Sequence, residues 1–85
     1  MVKTNFWYVY IIECKFGSYY TGITNDVIKR LEAHSNNKGA KYLKGRGPLI
    51  LKAFWEFPSK SEAAKREAQI KKLTKKQKKD LIDGF

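Results

Sequence analysis

The residues Trp7-Tyr8-Val9-Tyr10-Ile11-Ile12, followed through Lys15-Phe16-Gly17-Ser18 by Tyr19-Tyr20-Thr21-Gly22, decide the fold. Aromatic and β-branched side chains fill both runs, and such residues suit a pleated, partly covered surface. The short polar and glycine-containing segment between them joins the runs as a β-hairpin. Gly17 is able to take the positive φ that a tight connection often demands. The first strand is expected from near Phe6 to Glu13, the second from Ser18 to about Ile23. Composition alone makes this a packed strand pair and nothing more.

Working outward, Thr24 and Asn25 are good N-caps and Asp26 places negative charge in the first turn of a helix expected to end near His34. On that helix Val27, Ile28 and Leu31 form the expected buried stripe, while Arg30 and His34 stand four apart on its flank and reach one cleft. Taken singly, Arg30 reads better as a solvated charge and His34 as a cation favoured by the helix C-terminus. Ser35 to Pro48 is a long basic loop, with a helical turn expected around Ala40 to Leu43. Its Lys38, Lys41, Lys44, Arg46 and Tyr42 offer cations for phosphates and an aromatic face for a base; a solvated linker is the alternative. Leu49 to Phe57 is a third strand, whose mixture of continuous and alternating apolar residues is expected to place it centrally or under cover.

Pro58 stops that strand, and Ser59-Lys60-Ser61-Glu62 has the form of a capping box opening a helix to about Leu73. Glu67 falls between Ala63, Ala64 and Ile70 on the least polar face of this helix. A carboxylate there needs a cation, either a structural partner such as Lys71 or Arg30 or a metal ion. Helical phase alone does not choose between them. Thr74-Lys75-Lys76-Gln77 opens a last short helix anchored by Leu81 and Ile82 and stopped at Gly84.

The chain has 85 residues, which bounds it to one expected domain over 1–85 with a thin core. Eighteen Lys and Arg against eight Asp and Glu give a formal charge of +10, which favours nucleic acid, an anionic membrane surface or another acidic partner without choosing among them; a merely soluble basic protein is the alternative. Between Lys60 and Lys79 there are nine basic and two acidic residues, so most of the excess sits on the C-terminal helices, where Lys71 and Lys72 are expected to track phosphates. A lone cysteine, Cys14, excludes an internal disulfide and a cysteine-cluster zinc site, and fits a reducing, cytoplasmic setting. The longest apolar run, Phe6 to Ile12, is far short of the ~20 residues of a membrane span, so no membrane association and no targeting segment are expected.

Tyr8-Val9-Tyr10, Tyr20-Thr21-Gly22, Arg30, His34 and Glu67 follow one another in the order and approximate spacing of a nuclease family. From Trp7 to Ile82 the chain resembles the GIY-YIG endonucleases, most closely their small stand-alone members. The resemblance implies an α/β (α+β) sandwich in which a small three-stranded antiparallel sheet is flanked by helices. It implies a site of Tyr10, Tyr20, Arg30, His34 and Glu67. Tyr20 would act as general base or orient the attacking water, with Tyr10 beside it, and Arg30 would hold the scissile phosphate. His34 would assist the tyrosine or the leaving group, and Glu67 would hold one divalent metal, Mg²⁺ or Mn²⁺. One carboxylate suffices for Mg²⁺ when waters and substrate phosphates complete its shell. Because an unperturbed tyrosine has a pKa near 10, the role implied for Tyr20 requires a cation or a second tyrosine close by.

Several positions depart from the family pattern. Tyr8 stands where the family name has glycine, Thr21 replaces isoleucine, and Ile23 and a lysine-rich segment occupy places where some larger members carry a lysine and an asparagine. The expected function is metal-dependent hydrolysis of DNA phosphodiester bonds with weak sequence preference, on branched or damaged DNA in repair or recombination. The alternatives are a non-catalytic module binding DNA or RNA through the same basic surface and, on charge alone, a domain for an acidic protein partner.

Overall fold

The hairpin forms where its composition places it. In the computed structural model, which describes residues 6–36, 45 and 47–85, β1 (Trp7–Glu13) and β2 (Tyr19–Thr24) pair antiparallel, with Tyr10 opposite Gly22 and Ile12 opposite Tyr20. A single 3₁₀ turn over Lys15–Gly17 joins them, closed by the Cys14 N–H donating to the Ser18 carbonyl at 2.7 Å. Gly17 has φ 77° as expected, but Phe16 also lies in the left-handed region at φ 67°. That conformation costs a non-glycine residue about 1–2 kcal/mol, and Phe16 gains no burial in return, being 92% exposed.

The third strand, β3 (Ile50–Phe57), pairs antiparallel with β1, and the strand order is β2-β1-β3. The expectation of a central or covered third strand is therefore corrected: β3 is an edge strand, and β1 occupies the centre. The apolar run of β3 misleads because side chains on its outer face are large and apolar too, with Ile50 50% and Phe54 41% exposed. Its register slips between Ile11 and Ile12, which pair with Ala53 and Leu51, leaving Lys52 as the extra residue of a bulge.

Among the described residues there are three α-helices: α1 (Val27–Ser35), α2 (Lys60–Lys71) and α3 (Lys75–Asp83). Asp26, rather than Thr24 or Asn25, caps α1, its carboxylate accepting from the Lys29 N–H at 3.1 Å. Thr24 acts one step earlier, its hydroxyl accepting the Asp26 N–H at 3.0 Å. Ser59 caps α2 by accepting from the Glu62 N–H, and Thr74 with Gln77 forms a complete reciprocal capping box on α3. Each such cap is worth about 1 kcal/mol against alanine.

The alternation of β1 divides its side chains between two cores. Val9 and Ile11 pack with Ala63 and Ile70 of α2, joined by Trp55, Leu81 and Ile82. Tyr10, Ile12 and Cys14 pack on the other face with Leu31 of α1, Tyr20 and Leu51. Helices α2 and α3 thus cover one face of the sheet and α1 the other, an α/β sandwich. Burial from both sides explains the unbroken apolar run of β1, and each fully buried Val or Ile contributes roughly 2 kcal/mol. The stripe expected on α1 is corrected as well: Ile28 is 63% exposed, while His34, placed on the flank by helical phase, is buried at 2% exposure. Among the described residues no helix is long and apolar enough to cross a membrane. The basic loop, with its expected helical turn, falls mostly outside the described residues.

Candidate active site

The centre of the site is a consequence of strand register. Tyr10 and Gly22 are direct cross-strand partners, so their side chains share the face covered by α1. Glycine leaves that place empty and the Tyr10 ring fills it: a Cβ on Gly22 would stand 2.5 Å from Tyr10 Oη and 2.7 Å from Cζ. Sequence reasoning treated Gly22 only as the end of a triplet; its position opposite Tyr10 in the hairpin register carried the signal of its role. The second tyrosine, Tyr20, lies opposite Ile12 on the same face, its ring stacked 6.3 Å from that of Tyr10.

Helix α1 brings the histidine. His34 lies 5.9 Å from the Tyr10 ring and 5.7 Å from the Tyr20 ring, centroid to centroid, and its Nε2 is 2.9 Å from Tyr10 Oη. Burial, which penalises the imidazolium, and the Arg30 charge one turn earlier both push the His34 pKa down. Burial foremost, with Tyr20 and Glu67 adding to it against a lowering by Arg30, pushes the Tyr10 pKa well above its ordinary value. The imidazole is therefore neutral and the phenol protonated near pH 7. The two buried groups are hydrogen-bonded to each other, Tyr10 Oη–H donating to Nε2 or Nε2–H to Oη according to the imidazole tautomer. Burial and this pairing weigh against the helix-terminal cation considered for His34 and make Tyr10 a hydrogen-bonded anchor.

Arg30 is exposed on α1, near enough for its charge to bear on both members of the pair. Glu67 projects from α2 on the other layer, and its charge nevertheless acts on Tyr10. Its carboxylate is 3.5 Å from the Lys71 ammonium, the two side chains being 22% and 54% exposed. The lysine partner considered from the sequence is therefore present, but as a partly solvated i,i+4 pair, worth only about 0.3–0.5 kcal/mol. Such a pair is weak enough to yield to a stronger cation. Among the described residues no three His, Cys, Asp or Glu side chains converge as metal ligands. The donor set here is a single carboxylate, which fits an oxygen-seeking ion that keeps water and takes the rest of its shell from a substrate.

Beyond this cluster, Lys71 and Lys72 are both exposed at the C-terminal end of α2. Lys38, Lys41, Tyr42, Lys44 and Arg46 lie outside the described residues. Tyr8 is occupied elsewhere: its hydroxyl donates to Glu56 at 3.2 Å and its ring meets Phe54 edge-on. Thr21 is buried at 4% exposure, and its Oγ1, like Ser18 Oγ, has no hydrogen-bond partner among the described residues. An orphaned buried hydroxyl costs about 1–3 kcal/mol.

Comparison with known proteins matches the chain to an existing group. A family model described as the GIY-YIG catalytic domain matches residues 6–80. The UPF0213 protein CPE1444 of Clostridium perfringens is 56% identical over 77 residues, covering 91% of this chain and 83% of that protein. The solution NMR structure of the UPF0213 protein BH0048 from Bacillus halodurans aligns with a TM-score of 0.60 at 51% identity, over 92% of this chain and 83% of that one. That of the protein EF2693 from E. faecalis aligns with a TM-score of 0.66 at 38% identity, over all of this chain and 91% of that one. The matched region includes both strands of the hairpin, α1 with Arg30 and His34, and α2 with Glu67, and the chain belongs to the GIY-YIG nuclease family.

Proposed function

We propose that this chain is a divalent-metal-dependent endonuclease that hydrolyses DNA phosphodiester bonds with little sequence preference. The observation that carries the reading is the convergence of Tyr10, Tyr20 and His34 in mutual ring contact, under the combined charges of Arg30 and Glu67. Phosphodiester hydrolysis calls for a phenol to orient water, a planar cation for the phosphate and a carboxylate for a metal ion, and Tyr20, Arg30 and Glu67 supply these around the Tyr10–His34 pair.

Water must be held in line with the bond to be broken, and Tyr20 is the tyrosine for that work. Tyr10 is committed to His34, and the pair fixes the wall against which Tyr20 stacks. As the water oxygen bonds to phosphorus it releases a proton to the surrounding solvent, the bond from phosphorus to the leaving sugar oxygen breaks and that oxygen takes up a proton from solvent, while negative charge accumulates on the phosphate oxygens. Arg30 offers planar donors to that charge, a contact whose removal typically costs on the order of 3 kcal/mol of transition-state stabilisation. Glu67 is the residue to hold Mg²⁺ or Mn²⁺, exchanging its weak pairing with Lys71 for the ion. A bound ion of this kind polarises the phosphate and stabilises the leaving oxygen.

The formal charge of +10 supplies the affinity, and backbone contacts of this kind carry no sequence information. Arg30→Ala and Tyr20→Phe, assayed side by side for cleavage and for binding of the same labelled DNA, test the reading. Each variant is expected to lose cleavage by at least a hundredfold and to keep affinity within a few-fold. Binding lost in step with cleavage would favour a plain nucleic-acid-binding module.

A further inference from the structure

The turn that joins β1 to β2 carries a side chain that the fold does not use. Phe16 is 92% exposed and sits in the left-handed region at φ 67°, where a bulky residue is an outlier and glycine or asparagine is at home. No residue of this 3₁₀ turn is buried, so packing returns nothing for the strain. Non-glycine backbone held in that region gathers at functional sites and ligand clamps. The surroundings of the ring are cationic. The Lys15 ammonium lies 5.2 Å from the ring centroid. On the neighbouring residue, a Cβ on Gly17 would stand 3.6 Å from Nζ of Lys75, the first residue of α3. The tip of the hairpin therefore presents an exposed aromatic ring with two exposed lysines close by.

A flat apolar surface beside cations matches a nucleobase beside its phosphates. We propose that Phe16 is a stacking platform for an unpaired base of the DNA that this chain cuts, with Lys15 and Lys75 holding the phosphates next to that base. The inference rests on the nuclease reading and deepens it by naming the kind of DNA preferred. Tyr20 follows Phe16 by four residues, so their Cα atoms lie within about 14 Å of each other, and one strand reaches both. Prising apart a paired step costs as much as, or more than, stacking on one ring returns. A single phenylalanine therefore selects bases that are already unpaired, in a single strand, a flap or a mismatch, over intact duplex. An anionic bilayer also combines charge with apolar surface, but binding there scales with the apolar area inserted, and one ring on a turn offers little. The short chain distance to Tyr20 favours nucleic acid.

Two fluorescent probes of one sequence, a single strand and its blunt duplex, are titrated in chelator, where no cleavage intrudes, and read by anisotropy across a range of salt. Phe16→Asn, which tolerates the left-handed backbone, is expected to weaken single-strand binding about five- to a hundredfold. Its duplex affinity should change less than twofold, and its Tm should equal or exceed the parent's. Phe16→Trp should keep the single-strand affinity. Lys15→Gln should weaken single-strand binding and lower its salt slope by about 0.7. A folded Phe16→Asn that binds the single strand like the parent, or loses both probes equally, overturns the proposal while leaving the nuclease reading intact; a parent that binds no nucleic acid overturns both. Vesicles of phosphatidylcholine and phosphatidylserine, and sedimentation of the protein alone, probe the other occupants of the ring. Vesicle binding or a dimer that disappears in Phe16→Asn while single-strand affinity stays would overturn the assignment. In NMR spectra of the parent with the strand, Phe16 ring protons should show nuclear Overhauser contacts to base protons, and their absence would overturn it as well.

Discussion

Replacing Gly22 by alanine puts the geometry of the tyrosine pair to a quantitative test. The new methyl would stand 2.5, 2.7 and 3.1 Å from Oη, Cζ and Cε2 of Tyr10, separations at which something must move. The ring has little room, being 3% exposed in the core beneath α1 and tied by its hydroxyl to His34 at 2.9 Å. Displacing a packed side chain costs about 1–3 kcal/mol. Breaking the Tyr10–His34 bond leaves two buried polar groups short of a partner, for about 1–3 kcal/mol more. Relief of glycine's conformational entropy returns roughly 0.5–1 kcal/mol. The net, about 1–5 kcal/mol, corresponds in a domain of this size to a fall in Tm of roughly 4–40 °C. Circular dichroism melts would read it, and near-ultraviolet spectra would report the disturbed tyrosines. Adding Tyr10→Phe removes the 2.5 Å contact but not the one at 2.7 Å, so the double variant should recover only part of the loss. A Gly22→Ala protein melting within about 3 °C of the parent would refute the reasoning, because the pocket would then be loose enough for the ring to sit elsewhere.

Protonation gives a second expectation. Burial and Arg30 lower the His34 pKa in the folded protein, so the unfolded chain, with a value near 6.5, binds the proton more readily. The stability held by neutral His34 should be full above about pH 6.5 and be lost as pH falls toward the folded-state value. Urea melts from pH 5 to 8 should show that slope, and His34→Gln should flatten it. Tyr10 acts at the other end: its raised pKa gives a contribution that is full below about pH 10 and disappears above it. Glu67→Gln should cost less than about 0.5 kcal/mol in the same melts, because it breaks a partly solvated i,i+4 pair; a loss near 3 kcal/mol would mean a structural ion pair after all. Arg30→Lys should recover little cleavage, since an ammonium does not reproduce the planar fork of donors.

The parts legible in the sequence are those written in local chemistry. The hairpin, the Thr74–Gln77 box and the Ser59 cap all follow from residue types a few positions apart. The order Tyr10, Tyr20, Arg30, His34, Glu67 marks the candidate site in the sequence itself. What eluded the sequence depends on partners far along the chain. Nothing in Ile50 to Phe57 says that the strand lies at an edge, because apolar outer residues such as Phe54 look the same as covered ones. Helical phase favoured Ile28 over His34 for burial because a histidine is ordinarily the more polar choice; the Tyr10 hydroxyl, which satisfies the imidazole, comes from another element. Gly22 as a seat for Tyr10 becomes visible once the register is known. Thr21 looked like a modest exchange on a strand until its hydroxyl was found buried and unmatched.

Nicking of supercoiled plasmid by the purified chain, with Mg²⁺ or Mn²⁺ and then with excess chelator, tests the central claim most directly when Glu67→Gln is run beside the parent. The parent should nick only when the ion is present. The Glu67→Gln protein should melt and bind DNA like the parent yet leave the plasmid supercoiled at any practical metal concentration, because the amide keeps the shape but not the charge. Full nicking by folded Glu67→Gln, or undiminished nicking by the parent in chelator, would contradict the account.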